Sequence, residues 1–221
     1  MLQSLLFTMS FPSFFVFILL FSSPVVLAQK SDYGALRNGD ILFQDLDCGG
    51  LCDAIEQVTQ SYAGRHFSHI GLVSKKGDSL YVIEAIGTAV QGTPLKDFIH
   101  RNNNEVLLGR VRKPYQKIVD QAVHIAQEQL GVPYDDAFLY DNGKYYCSEL
   151  LYDAFKQANG NQTFFELRPM TFKKPNSNEF FPVWVDYYQK LHMPIPEGMA
   201  GINPGGISMS PKLQMFLYKK D

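Results

Sequence analysis

The sequence predicts an α+β domain in which helices pack against a small antiparallel sheet. The chain has 221 residues, 46% of them hydrophobic, and this length suits one domain with a substantial core. Two β-rich runs, 68–74 and 79–86, flank the turn residues 75–78, which indicates a hairpin. Residues 147–158 carry apolar side chains at helical spacing and end at Asn159-Gly160, which indicates a buried helix.

The remaining elements follow from the same rules of periodicity and turn chemistry. Strands are predicted at 40–44 and 106–112, and helices at 51–63, 94–101 and 115–130. The segment after residue 160 is rich in proline, glycine and aromatic residues, which predicts ordered loops with one helix around 183–191.

The charge pattern limits the classes of partner. The net charge is −2 and charges of both signs are mixed along the chain, without a basic stripe. Nucleic-acid binding depends on clustered positive charge, so we expect no nucleic-acid partner. We also expect neither a cofactor nor a bound metal ion.

The N-terminus has the pattern of an export signal. Residues 1–28 carry no charged side chain, and the apolar run 14–21 is followed by Ser22-Ser23-Pro24 and a small-residue cleavage pattern ending at Ala28. The run is shorter than the roughly 20 residues that span a bilayer. We therefore predict a signal peptide at 1–28 and a mature domain at 29–221 that is periplasmic or secreted and not stably inserted in a membrane. The absence of Lys or Arg before the run leaves an uncleaved anchor as the alternative.

Three cysteines divide into a close pair and a single residue. Cys48 and Cys52 are separated by Gly49-Gly50-Leu51, and a glycine loop can bring their sulfurs together as a disulfide in an oxidising compartment. The alternative is that residues 48–52 begin the helix and both thiols stay reduced. If the pair forms, Cys147 is the odd cysteine, either inert in the core or reactive.

The predicted hairpin brings a histidine and a carboxylate to one face of the sheet. A Lys76-Gly77 turn would place His69 directly opposite Glu84, whereas a Gly77-Asp78 turn would place the two diagonally on the same face. A third register, odd by one residue, would separate them. A carboxylate beside an imidazole fixes its tautomer and stabilises the imidazolium. The alternative is an ordinary solvated cross-strand pair.

Cys147 begins the predicted helix 147–158 and lies on its apolar stripe. One interpretation makes it the first core residue of the helix. The other makes it a nucleophile, because free N–H groups and the helix dipole at a helix N-terminus stabilise a thiolate. Spacing alone leaves both open.

Five segments together resemble the YiiX-like permuted papain-like hydrolases, relatives of the NlpC-type cell-wall peptidases. They occur in the family's order over residues 37–160. They are Gly39-Asp40-Ile41-Leu42-Phe43-Gln44, Ser68-His69-Ile70-Gly71, Val82-Ile83-Glu84-Ala85, Gly131-Val132-Pro133-Tyr134-Asp135 and Tyr146-Cys147-Ser148-Glu149-Leu150. The resemblance implies a circularly permuted papain-like fold, in which the histidine strand precedes the cysteine helix.

The resemblance also implies the site and the chemistry. Cys147 corresponds to the nucleophile, His69 to the general base, Glu84 to the residue that orients the histidine, and Tyr134 to a tyrosine that lines the substrate site. The implied activity is that of an exported cysteine hydrolase of the amidase or peptidase type, acting on a small peptide or cell-wall fragment. An acyl-lipid hydrolase, acyltransferase or thioesterase on the same fold is the alternative, and a non-catalytic binding module is a second alternative.

Overall fold

The computed structural model describes residues 36–101 and 105–219. In chain order the main elements are β1 (Ile41–Gln44), α1 (Gly50–Val58), β2 (His69–Lys76), β3 (Ser79–Ile86), β4 (Ala89–Pro94), α2 (Leu95–His100), β5 (Glu105–Val111), α3 (Val119–Glu128), α4 (Cys147–Ala158), β6 (Arg168–Pro169), α5 (Pro182–Lys190), β7 (Ala200–Gly201), α6 (Pro204–Ser208) and β8 (Leu213–Lys219). Short 3₁₀ helices occupy Tyr62–Gly64 and Lys113–Ile118. No helix of the described ranges is long and apolar enough to cross a membrane, and the predicted signal peptide at 1–28 lies outside them.

Six strands form one antiparallel sheet in the order β4-β3-β2-β1-β5-β8. The β2–β3 hairpin pairs Lys76 with Ser79 and Leu72 with Ile83, so its turn is Gly77-Asp78. Gly77 supplies the positive φ of 60° that such a two-residue turn needs. Continued along the strands, this register places Glu84 diagonal to His69, and the directly opposed register is wrong.

The two faces of the sheet are covered by different helices. One face packs against α3 and α4, burying residues such as Ile70, Leu72 and Ile83 with Leu150 of α4. The other face is closed by α2, whose Phe98 lies in a smaller apolar cluster. A Cβ at Gly71 would lie 3.1 Å from Phe98, so the absence of a side chain there lets α2 approach the sheet beside His69.

The structure corrects several predicted boundaries. The helix predicted at 51–63 ends at Val58, because Thr59 is extended (φ −111°, ψ 121°) and only a short 3₁₀ turn follows. The helix predicted at 115–130 starts as a 3₁₀ helix and is α-helical only from Val119 to Glu128. Strands β4 and β8 were not predicted: β4 is a largely exposed edge strand, and in β8 both faces carry apolar residues, so alternation is weak.

The predicted Cys48–Cys52 disulfide is confirmed, with an S–S distance of 2.02 Å. It ties Cys48, two residues before the start of α1, to the first turn of the helix, so the competing arrangement with two reduced thiols is wrong. Cys147 is the only cysteine left free, and it is buried.

Candidate active site

His69 begins strand β2 and is held by a carboxylate from the neighbouring strand. Its Nε2 lies 2.6 Å from Oε2 of Glu84, and the two side chains are almost fully buried. The ring also packs on Phe98, with 6.0 Å between the ring centroids. Because Nε2 is engaged by Glu84, Nδ1 is the nitrogen that remains for a second partner.

Glu84 is surrounded by donors on every accessible side. Thr93 of β4 donates its hydroxyl to Oε1 at 2.5 Å, and Arg101 donates to both carboxylate oxygens, reaching Oε2 from Nη1 at 3.1 Å. Helix α2 delivers Arg101 to this position, and the guanidinium also stacks over Phe98. Burial alone would raise the pKa of Glu84, but the hydrogen bonds and charges of His69 and Arg101 lower it below its ordinary value. The carboxylate is therefore ionised and fixed in orientation.

Cys147 is the first residue of α4, which packs against β2 and β3. Residue Cys147 is 7% exposed and lines the same cavity as His69. Burial lowers the pKa of His69, yet hydrogen bonds and negative charge from Cys147 and Glu84 outweigh it and raise that pKa to about 9. The structure thus brings together the three side chains predicted as nucleophile, base and orienting acid.

A segment from the end of the chain closes the site beside Cys147. The hydroxyl of Ser148 donates to the carbonyl of Ile202 at 2.9 Å, and the N–H of Ile202 donates to the hydroxyl of Tyr146 at 3.1 Å. Two residues that flank Cys147 in sequence therefore anchor Ile202, and Asn203 follows directly at the cavity wall.

Tyr134, predicted to line the substrate site, lies in the wall of the same cavity. Its N–H donates to the carbonyl of Thr88 at 2.9 Å, which fixes its strand segment beside the β3–β4 turn. Burial, and then the charge on Cys147, raise the pKa of its phenol well above the ordinary value. The hydroxyl therefore stays protonated and is able to donate a hydrogen bond.

The cavity at Cys147 has a volume of about 430 Å³ and a mostly apolar wall. Leu51 and Ile55 of α1, Trp184 of α5 and the Cys48–Cys52 disulfide form much of that wall. The other lining residues are Leu46, Val58, Thr59, Ser68, Ala85, Ile86, Gly87, Asp136, Phe138, Tyr146, Ser148, Met170, Thr171, Phe172, Tyr187, Ile202, Asn203 and Pro204. No Lys or Arg of the described ranges contributes to it, so the cavity suits an apolar group.

Arg101, Thr93 and Asn203 were not predicted as site residues. Arg101 follows the last residue of α2, and Thr93 lies in β4. No local sequence pattern links either residue to Glu84. A buried glutamate does require a cation or donors, and this requirement is the signal that could have pointed to an arginine on a nearby element.

The comparisons with known proteins place this arrangement in a family. A family model described as permuted papain-like amidase, the YaeF/YiiX, C92 family, matches residues 35–217. The uncharacterized protein YiiX of Escherichia coli strain K12 is 32% identical over 124 residues, which cover 54% of this chain and 57% of that protein. The match therefore spans little more than half the length of the curated relative.

A solved structure shows the same architecture. The crystal structure of metalloprotein yiiX from Escherichia coli O157:H7 aligns with a TM-score of 0.65 and 25% identity, covering 83% of this chain and 97% of that one. Within residues 36–101 and 105–219 of this chain, no three or more His, Cys, Asp or Glu side chains are grouped to hold a metal ion.

These matches confirm the predicted α+β fold with circularly permuted papain-like topology, and they support a hydrolase that uses papain-like chemistry. With its histidine strand β2 ahead of its cysteine helix α4, the chain belongs to the YaeF/YiiX family of permuted papain-like amidases.

Proposed function

We propose that this protein is an exported cysteine amidase in which Cys147 is the nucleophile, His69 the general base and Glu84 the orienting acid. The observation that carries the proposal is the buried Glu84–His69 pair beside a thiol that opens into a cavity. The Cys48–Cys52 disulfide supports export, since disulfides persist in oxidising compartments.

The mechanism follows from the positions of these groups. His69 takes the Cys147 proton on Nδ1, and its charge is balanced by Glu84 at Nε2. The thiolate attacks the carbonyl carbon of the amide, and the electron pair of the C=O bond moves to oxygen. The N–H of Cys147, at the start of α4, is placed to donate to that oxygen. The imidazolium then protonates the leaving nitrogen, and water activated by His69 hydrolyses the thioester.

A second candidate function is hydrolysis or transfer of an acyl group from a lipid ester or thioester. The mostly apolar wall of the cavity favours it, because a cell-wall peptide carries charged groups that this wall would leave unpaired. The chemistry at Cys147 is the same in both cases. The two candidates differ in the leaving group, an amine in the first and an alcohol or thiol in the second.

Turnover of matched substrates distinguishes these candidates. Octanoyl p-nitroanilide and p-nitrophenyl octanoate share one acyl chain and differ only in the bond, while alanyl p-nitroanilide tests an amino-acyl group. An amidase releases p-nitroaniline, and an acyl-lipid hydrolase releases p-nitrophenol alone. We expect Cys147→Ser to abolish turnover and leave the circular dichroism spectrum unchanged, because oxygen replaces sulfur at similar volume without an easily ionised thiol. Near wild-type activity in this variant would make Cys147 structural.

Alkylation tests the thiolate independently of any substrate. Cys147 is the only free thiol, so iodoacetamide uptake by the oxidised protein reports on it alone. We expect rapid uptake at pH 6 in the wild type and markedly slower uptake in His69→Ala, which lacks the imidazolium. Slow uptake that is insensitive to His69 would favour a non-catalytic binding module.

A further inference from the structure

Asn203 begins helix α6 with its side chain in a fixed orientation. Its Oδ1 accepts the N–H of Gly206 at 2.7 Å, so this atom is the carbonyl oxygen of the amide and not the nitrogen. The amide nitrogen, Nδ2, consequently points away from the cap. Within the described part of the chain, Nδ2 donates to no protein acceptor.

Asn203 lies in the wall of the cavity that Cys147 and His69 also line. The preceding residue, Ile202, is tied on both its N–H and its carbonyl to residues that flank Cys147. Asn203 itself is half-buried and lines the cavity with Cys147 and His69. A residue of the cavity wall therefore carries a side-chain amide with two unused hydrogens, and it directly follows the residue bonded to both neighbours of Cys147.

We propose that Asn203 is a further catalytic residue, whose Nδ2–H donates to the carbonyl oxygen of the substrate as negative charge develops on it. This inference rests on the proposed function of Cys147. When the thiolate adds to the carbonyl carbon, the oxygen gains the electron pair of the C=O bond, and Asn203 with the N–H of Cys147 would form two donors to it. When the C–N bond breaks, that pair returns to the carbonyl. Neither donor gains or loses a proton.

The cap and the donor are separate properties of one side chain, and this makes the inference testable. Serine is as good an N-cap as asparagine, so Asn203→Ser keeps an oxygen acceptor for Gly206 and removes only the amide nitrogen. Asn142→Ser is the matched control, because the Oδ1 of Asn142 also accepts a backbone N–H, that of Lys144 at 3.0 Å, in an exposed turn outside the cavity.

The experiment compares two reagents on Cys147 of the full, oxidised protein. p-Nitrophenyl butyrate acylates the thiol through a tetrahedral oxyanion and reports by release of p-nitrophenol, whereas 2,2′-dipyridyl disulfide reacts with the same thiolate and has no carbonyl oxygen. We expect Asn203→Ser to slow acylation by about 100-fold, the effect of losing one oxyanion donor. The rate with dipyridyl disulfide should stay within about twofold of wild type, and Asn142→Ser should change neither rate.

The contrary outcomes are distinct. Equal acylation rates in Asn203→Ser and wild type would overturn the role of Asn203 while leaving Cys147 as nucleophile. An equal fall in both rates would show that Asn203 only supports the thiol–imidazole pair. A wild-type thiol that reacts slowly with both reagents, with no effect of His69→Ala, would overturn the proposed function itself.

Discussion

Two glutamates of equal burial, Glu84 and Glu149, differ in their environments. Glu84 and Glu149 are both 0% exposed. Glu84 receives hydrogen bonds from His69, Thr93 and Arg101. Glu149, two residues after Cys147, accepts the N–H of Asp141 at 2.9 Å, and its Oε2 has no partner with hydrogen-bonding geometry among the described residues.

The difference in partners reverses the direction of the pKa shift. Burial raises the pKa of both carboxyls, but cationic partners reverse this for Glu84 and lower its pKa. For Glu149, burial dominates over the hydrogen bond from Asp141, and the neighbouring charges of Asp153 and Asp135 add to it, so its pKa rises to about 8. Burial alone therefore does not identify the carboxylate that pairs with His69. The acid that carries charge at neutral pH is the one with cationic partners.

Among changes to the two glutamates and Arg101, the largest effect is expected for Glu84→Gln. The amide keeps the size of the side chain but leaves Arg101 and the His69 imidazolium without a counter-charge, so we expect a cost of about 3 kcal/mol in the free energy of unfolding. The pKa of His69 should fall from about 9, and alkylation of Cys147 at pH 6 should slow at least tenfold. Histidine titration by NMR and alkylation kinetics measure both effects.

Two comparisons keep this result interpretable. Glu149→Gln makes the same chemical change at an equally buried position and should leave the pKa of His69 unchanged. His69→Ala should slow alkylation more than Glu84→Gln, because Glu84 acts only through the histidine. A Glu84→Gln variant that reacts like wild type would remove Glu84 from the site.

A smaller effect is expected for Arg101→Gln. Arg101 helps to lower the pKa of Glu84, so its removal should raise that pKa. As the pH falls, Glu84 would then become protonated earlier, and the acid limb of the alkylation profile of Cys147 should move to higher pH. Arg101→Lys keeps one positive charge and should move it less. An unchanged acid limb would show that Thr93 and His69 suffice to hold Glu84.

The sequence could predict the elements that local periodicity and turn residues define. Helix α4 and the β2–β3 hairpin follow from local periodicity and turn residues, so Cys147, His69 and Glu84 could be placed before the structure was known. The register needed the choice between two turns that the sequence left open. The observed pairing of Lys76 with Ser79 decides it.

The partners of the two glutamates could not be predicted, because they depend on how neighbouring elements pack, which local periodicity does not specify. Arg101 reaches Glu84 from beyond α2, and Asp141 reaches Glu149 from the loop before α4. Asn203 joins the cavity wall next to Ile202, whose bonds join positions more than 50 residues apart. Strand β8 likewise becomes recognisable only when β5 provides its pairing edge.

Glu149→Gln should have the smallest effect on the reactivity of Cys147. Unlike Glu84→Gln, it should make the folded protein more stable at high pH. The carboxyl is neutral in the folded protein up to about pH 8, whereas in the unfolded chain it ionises near pH 4.5. Between these values the unfolded state releases a proton that the folded state retains, so the free energy of unfolding falls as pH rises, by at most about 1.4 kcal/mol per pH unit. Glutamine does not titrate, and its oxygen still accepts the N–H of Asp141.

The change in the free energy of unfolding between pH 5 and pH 8, measured by chemical denaturation, should therefore differ between wild type and Glu149→Gln. Wild type and Glu149→Gln should have similar stability at pH 5, and the variant should be the more stable at pH 8. Contributions from His69 and Asp153 are present in both proteins and cancel in the difference. Alkylation of Cys147 at pH 6 should stay within about twofold of wild type, because a neutral carboxyl and an amide present the same charge to the thiol. A variant that loses stability with pH as steeply as wild type would mean that Glu149 is already ionised in the fold, and the contrast with Glu84 would then not hold.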